Sequence, residues 1–287
     1  MAAPVSGDPS GRRRAAVLGS PIAHSLSPVL HRAGYAATGL DWSYQAIECD
    51  AAALPALVGG LDASWAGLSV TMPGKAAAAA VATERSDRVR RLGVANTLLR
   101  RTDGWAAENT DVDGVRGALR SAGVPSVDRA VVLGGGGTAM AVVLALAEMG
   151  ARSLVLVGRR PQSTAGAAAL ARDLGLDVTV TPFDVDPVAA AARKADLVVS
   201  TVPAGGADAL AAAVAPAPVL LDVVYAPWPT VLAAAGAADR VVVTGLDMLL
   251  HQALRQFELM TGVSAPAAAM RDALRAASGT DLALPVD

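Results

Sequence analysis

Cysteine is almost missing from this 287-residue chain, with Cys49 its single thiol. One thiol cannot close an internal disulfide, and no cysteine pair exists to bind zinc. The three histidines, His24, His31 and His251, are scattered without H-E-x-x-H spacing, so no metal site is expected. Aromatic residues are scarce too, at 3%, which leaves Ala, Val and Leu to build the core. Nor is there a charge excess: 24 basic against 26 acidic residues leave −2. Such a balance lacks the basic face that grips nucleic acid, so no nucleic-acid partner is expected.

The longest uncharged run, Ala130–Ala147, has eighteen residues, about the minimum for a membrane-spanning helix. Gly134 to Gly137 interrupt it, each costing roughly 1 kcal/mol against alanine inside a helix. A strand, a tight turn and a helix explain the run better than a span, so no membrane contact is expected. The opening residues, Met1-Ala-Ala-Pro-Val-Ser-Gly-Asp-Pro-Ser10, contain no apolar secretion core. Hydrophobic residues reach 53% and charged ones only 17%, which excludes disorder for most of the chain. A soluble, cytoplasmic α/β protein of about two domains is expected, behind a disordered lead-in at residues 1–13.

Apolar bursts alternate with helical stretches, the rhythm of a mostly parallel sheet. In the first half the pattern predicts strands at 15–18, 43–47, 67–71 and 97–100. Helices are predicted at 27–38, 51–58, 73–82 and 111–122, the last stopped by Gly123 and Pro125. The rhythm then restarts, with strands predicted at 130–133, 153–157, 177–180, 197–200, 219–223 and 241–244. Six strands with Ala-rich helices between them match a doubly wound, dinucleotide-binding sheet. Two further helices are predicted at 248–261 and 267–276.

Gly134-Gly135-Gly136-Gly137-Thr138-Ala139 fits G-x-G-x-x-A between a predicted strand and a predicted helix. Side chains there would block a pyrophosphate from the backbone amides and the helix N-terminus. A plain tight turn would also use glycines; the placement favours a nucleotide. An NAD site would carry an acid near the end of the next strand for the ribose 2′-hydroxyl. Here that strand runs into Gly158-Arg159-Arg160, and guanidinium forks suit a 2′-phosphate. By themselves the two arginines would read as a solvated loop; joined to the glycine turn they favour NADP.

Lys75 opens an Ala-rich helix, where the positive end of the macrodipole is expected to lower its pKa toward a useful range. A snorkelling surface lysine is the plain alternative. Asp111 follows Asn109-Thr110 before a helix, and all three are common N-caps. Ser27 before Pro28 reads as an N-cap as well, with proline at the first helical position. Ser25 has no such explanation.

Taken together these segments resemble the shikimate dehydrogenases, from about Val17 to Ala276. The resemblance rests on Gly19-Ser-Pro-Ile-Ala-His-Ser-Leu-Ser-Pro28, Ser69-Val-Thr-Met-Pro-Gly-Lys75, Ala95-Asn96-Thr97 and Glu108-Asn-Thr-Asp-Val-Asp-Gly114. Later segments continue it: the glycine turn, Ser200-Thr-Val-Pro-Ala-Gly205, Leu221-Asp-Val-Val-Tyr-Ala-Pro227 and Gly245-Leu-Asp-Met-Leu-Leu-His-Gln252.

The resemblance implies NADPH-dependent, reversible reduction of 3-dehydroshikimate to shikimate, on the route to chorismate and the aromatic amino acids. It implies Lys75 and Asp111 as the catalytic pair, with Ser25, Ser27, Thr71, Asn96, Gln252 and Tyr225 on the substrate. It assigns Gly134, Gly135, Gly136, Gly137, Thr138, Ala139, Arg159 and Arg160 to the cofactor cradle, and Val223, Gly245 and Met248 to the nicotinamide. It also implies a substrate and catalytic domain of residues 14–112 plus 246–287, and a Rossmann-like NADP domain of 113–245, with substrate between them. The partners expected are small molecules only, for a homodimer or a monomer. Quinate/shikimate dehydrogenases share these motifs, often with NAD; some members of this fold are non-catalytic ligand-binding regulators, which could drop Lys75 and Asp111, both kept here. The chain departs from the family at Ser69, commonly Asn, at Gly74, commonly bulky, and at Gly135, commonly Ala. Thr138 and Met140 differ as well, and Gly158-Arg159-Arg160 stands for Asn-Arg-Thr.

Overall fold

The computed structural model describes residues 12–280 and Leu282. The first part of the chain runs β1 (Arg13–Gly19), α1 (Ser27–Thr38), β2 (Trp42–Glu48), α2 (Leu54–Gly59), β3 (Trp65–Val70) and α3 (Lys75–Val81). There follow β4 (Glu84–Arg85), α4 (Asp87–Leu92), β5 (Thr97–Arg101), β6 (Gly104–Glu108) and α5 (Asp111–Ser121). The chain continues through β7 (Arg129–Leu133), α6 (Gly137–Glu148), β8 (Ser153–Gly158), α7 (Pro161–Asp173), β9 (Asp177–Pro182), α8 (Val185–Ala192) and β10 (Leu197–Ser200). Then come α9 (Ala211–Val214), β11 (Val219–Asp222), α10 (Val231–Ala234), β12 (Val241–Thr244), α11 (Gly245–Thr261) and α12 (Ala267–Ser278). No described helix is long and apolar enough to cross a membrane. Among the described residues no cluster of His, Cys, Asp and Glu could hold a metal ion.

The elements form two compact units. One comprises the described residues through Thr110 together with those from Gln252 onward; the other is Asp111–His251. The divisions fall at the start of α5 and within α11.

The first unit holds a six-stranded sheet in the order β2-β1-β3-β5-β6-β4. At its centre β3 is buried at every position, as a strand covered on both faces must be. The sheet is mostly parallel, as expected, with one exception: β5 runs antiparallel to both β3 and β6. A two-residue loop, Thr102-Asp103, joins β5 to β6, with Gly104 at φ 133°. Helix α4 and the two-residue β4 are too short to show a periodicity in the sequence.

Helix α1 ends on left-handed Gly39, at φ 69°. Helices α11 and α12 close the first unit, because glycines let them approach. A Cβ on Gly34 would lie 2.7 Å from the Phe257 ring and 3.2 Å from the Met270 sulfur, and one on Gly67 2.6 Å from Met260. Met270 and Leu274, four residues apart on α12, supply its buried stripe.

The second unit is an all-parallel sheet, ordered β12-β11-β10-β7-β8-β9. Counted from β7 this is 3-2-1-4-5-6 reversed, the order of Rossmann-like dinucleotide folds, with its switch point between β7 and β10. Its core is aliphatic, including Val131, Leu133, Val198, Leu210, Val214 and Leu220.

Several boundaries differ from the sequence reading. Helix α2 begins at Leu54, three residues late, because the Asp50 carboxylate takes the amides of Ala52 (3.0 Å) and Ala53 (2.8 Å) in a turn. Helix α3 begins at Lys75, not Pro73. Of the lead-in, residues 1–11 lie outside the described residues, and Arg13 already belongs to β1.

Candidate active site

The sheet of the first unit brings several of the singled-out residues to one edge. Leu18 pairs with Val70 in parallel strands, so the loops after β1 and β3 emerge side by side. Ser20 N–H donates to the Met72 carbonyl (3.1 Å) and Thr71 N–H to the Leu18 carbonyl (2.8 Å). Gly19 is required there, since a Cβ would meet the Thr71 methyl at 2.4 Å. Antiparallel pairing of Ser69 with Thr97, and of Thr97 with Glu108, brings the start of β5 and the end of β6 to the same edge. Ser25, Ser27, Thr71, Lys75, Asn96 and Thr110 therefore all lie at or just beyond this edge of one sheet.

Ser27 is not the N-cap that its place before Pro28 suggests. It is the first residue of α1 and is buried, and its amide points to the Ser25 hydroxyl (3.4 Å). Ser25 thus turns the loop into the helix, two residues ahead of where the proline pattern placed the cap. Lys75, half-buried, opens α3, and its carbonyl accepts from Ala95 N–H (2.9 Å).

Asn96 lies in a buried hydrogen-bond network. Its Oδ1 accepts from Thr110 N–H (2.8 Å) and the Thr97 hydroxyl (2.9 Å); its Nδ2 donates to Thr110 Oγ1 (3.0 Å) and Gln252 Oε1 (3.4 Å). The structure thus brings Asn96 and Gln252 together. Gln256, one turn after Gln252, donates from Nε2 to the Asn96 carbonyl (3.1 Å) and to Thr97 Oγ1 (2.9 Å). Its Oε1 accepts from the Ser69 hydroxyl (2.7 Å), which accepts in turn from the Tyr44 phenol (2.6 Å). Burial pushes that phenol above its ordinary range and the Ser69 bond opposes the shift, so it stays a donor.

His31 stacks on the Tyr44 ring, 4.2 Å between centroids at 6°. Fully buried, it has its pKa pulled down to about 3, with the neighbouring Gln256 carboxamide opposing. The imidazole is a neutral ring packed against Tyr44. His251 belongs to the second unit, where its Nε2 lies 3.1 Å from Ser121 Oγ.

In the second unit the glycine turn stands at the switch point. Gly134 has φ 106°, and a Cβ on it would meet Thr201 Oγ1 at 2.4 Å, where that hydroxyl donates to the Leu133 carbonyl (2.8 Å). A Cβ on Gly135 would come within 2.0 Å of the Ser163 carbonyl oxygen in α7. Gly136, the N-cap of α6, has nothing within 4 Å of the place a Cβ would take, and no side chain caps the helix. Gly137 and Thr138 form its first turn, over the fully buried Ala139. An anion can reach those amides. Arg159 and Arg160 are exposed just beyond the end of β8.

On the other side of the switch point, Gly245 packs against the loop after β11: a Cβ there would lie 2.1 Å from the Val223 carbonyl and 3.2 Å from Tyr225. Two groups holding these residues escaped the sequence reading. Asp222, buried at the end of β11, accepts from Val224 N–H (3.2 Å) and the Thr230 hydroxyl (2.7 Å), folding the Val223–Tyr225 loop back. Burial pushes its carboxyl up, and these bonds oppose. Thr244 caps α11: its hydroxyl accepts from the amides of Leu246 (3.1 Å) and Asp247 (3.2 Å), while the Asp247 carboxylate accepts from Thr244 N–H (2.9 Å). That reciprocal cap starts the helix at Gly245, three residues before the expected Met248. Thr244-Gly-Leu-Asp247 was its signal in the sequence. Asp111, the first residue of α5, is buried, as is Met248 in α11.

The shikimate dehydrogenase substrate binding domain family matches residues 17–98, and the shikimate 5′-dehydrogenase C-terminal domain family matches residues 245–275. The chain is 39% identical over 262 residues to a protein of Methylobacterium radiotolerans named shikimate dehydrogenase (NADP(+)), spanning 87% of this chain and 91% of that one. The chain belongs to the shikimate dehydrogenase family. Among solved structures, the Mycobacterium tuberculosis shikimate dehydrogenase superposes with a TM-score of 0.88 at 50% identity, over 92% of this chain and 99% of that one. A Thermus thermophilus shikimate 5-dehydrogenase in complex with NADP(H) and shikimate gives 0.81 at 34% identity, over 92% and 99%. These end-to-end matches carry the two-domain α/β fold across, a substrate-binding domain that begins the chain and a Rossmann-like domain.

Proposed function

We propose that this protein is an NADP-dependent shikimate dehydrogenase, reducing 3-dehydroshikimate reversibly to shikimate, in the cytoplasm. The observation that carries this reading is the likeness of nearly the whole chain to enzymes of that name. In the reading, residues 14–112 with 246–287 hold the substrate and 113–245 hold the dinucleotide.

The second unit suits a phosphorylated dinucleotide. Open space before Gly136 and the uncapped first turn of α6 offer amides to a pyrophosphate, and Arg159 and Arg160 offer forks to a 2′-phosphate. NADPH would supply the hydride. Val223, Gly245 and Met248 would line its nicotinamide.

The chain's own residues supply orientation and a proton. Lys75, Asn96 and Asp111 would hold ring hydroxyls, Thr71 and Gln252 would also touch the substrate, and Ser25, Ser27 and Tyr225 would take the carboxylate. Lys75 Nζ would give or take the proton at the reacting oxygen, with Asp111 orienting it. Backbone geometry supports that pairing: Lys75 is tied to Ala95, and Asn96 to Thr110, which Asp111 follows in the chain.

Steady-state oxidation of shikimate and of quinate, each with NADP and with NAD, tests the reading. Shikimate with NADP should be the best pair by kcat/KM; a preference for quinate with NAD would place the protein among the quinate/shikimate dehydrogenases. Lys75→Ala should lower kcat by about 10²–10⁴-fold while NADPH still binds. Near-normal turnover in that variant would remove Lys75 from the mechanism.

A further inference from the structure

We propose that Gln256 is a positioning residue: it fixes the Asn96 carboxamide for substrate through Thr97, and Tyr44 and Ser69 set its own orientation in turn. The inference rests on the reading that Asn96 touches the substrate, and concerns residues that reading leaves without a role.

The direction of each hydrogen bond follows from what each group can do. The protonated Tyr44 phenol donates to Ser69 Oγ (2.6 Å), which spends its one proton on Gln256 Oε1 (2.7 Å). An amide whose oxygen accepts at one end must present its N–H groups at the other. Gln256 Nε2 accordingly points at two acceptors, the Asn96 carbonyl (3.1 Å) and Thr97 Oγ1 (2.9 Å). With one of its lone pairs so engaged, the Thr97 hydroxyl turns its proton to Asn96 Oδ1 (2.9 Å), beside the Thr110 N–H (2.8 Å). Two donors thus meet the Asn96 oxygen, and the opposite amide orientation would set Nδ2 against the Thr110 N–H and forfeit the Thr97 proton.

Every member of this relay is buried: Tyr44 is 1% exposed, Gln256 1%, Thr97 0%, Asn96 3% and Ser69 4%. Water cannot replace a missing partner there, so one deletion leaves the next group unsatisfied and free to turn. Gln256 is the joint of the chain. Gln252, also on α11, meets Asn96 only at Nδ2, whereas Gln256 binds both the main chain and the side-chain partner of the residue it orients. Phe257, the next residue, is wedged against Gly34 and fixes the helix at that point.

Gln256→Leu and Thr97→Val break the relay at two points while approximating the lost shapes. Each should raise the KM for shikimate about tenfold. The KM for NADP should stay within twofold, and kcat should fall less than KM rises. Asn96→Ala provides the reference, and in its background Gln256→Leu should add little, since the group it orients is gone. A merely structural Gln256 would instead give additive effects in the double variant. If Gln256→Leu fails to fold, Thr97→Val carries the same test. A normal shikimate KM in the folded relay variants, with Asn96→Ala impaired, overturns the relay alone. A normal KM in Asn96→Ala itself overturns the substrate contact and the relay with it.

Discussion

The His31 ring sits where charge is hardest to accommodate, fully buried against Tyr44. In the folded protein it binds a proton only near pH 3, whereas an unfolded chain binds one near 6.5. Between those values the unfolded state holds more protons, so this group favours unfolding increasingly as pH falls. Its contribution should be about 1.4 kcal/mol per pH unit below 6, and nothing above 7. Urea titrations at pH 7, 6 and 5 would show it, and His31→Phe should flatten that part of the profile. An unchanged slope in the variant would mean that other groups drive the loss. Nothing in the sequence distinguished His31 as a buried ring beyond its lack of metal-ligand spacing. Its role depends on Tyr44 and Gln256, which come from distant strands and helices.

Among the elements, the strands and helices with a full run of apolar spacing were legible, and α1 and β10 fall where the pattern put them. What failed were short segments and starts decided by side chains. The β5–β6 hairpin is marked in the sequence by Asp103-Gly104, a turn signal that apolar spacing alone does not register. The start of α11 was written in Thr244 and Asp247, and that of α2 in Asp50; each is a polar cap that periodicity alone ignores. The proposed site residues stand in motifs, whereas Asp222 and Gln256 bond to other residues of the chain and carry no motif of their own. The glycine turn yields a prediction at this scale. Alanine is common in the family at Gly135, yet here a Cβ would strike the Ser163 backbone carbonyl at 2.0 Å. Gly135→Ala must therefore displace the start of α7, just after Arg159 and Arg160. It should lower NADP affinity about tenfold and stability by about 1–3 kcal/mol, with the shikimate KM little changed. NADP titration and thermal melts would decide it.

On the scale of the whole molecule, the first unit is interrupted: its sheet comes from residues before Asp111, and its cover, the rest of α11 with α12, from residues after His251. The glycines Gly34 and Gly67 face Phe257, Met270 and Met260, all encoded near the far end of the chain. On the ribosome, then, the earlier-made sheet must wait for its cover while the inserted Rossmann-like unit emerges complete, roughly 7–30 s at ordinary elongation rates. Nascent chains arrested once His251 has cleared the exit tunnel should resist protease across residues 111–251. The same digestion should cut readily within residues 12–110. Equal resistance of both segments would show that the sheet matures without its last two helices. In this arrangement the segment translated first is the last to become mature, and a protein-quality system that recognises bare apolar β-surface would meet its target there throughout synthesis.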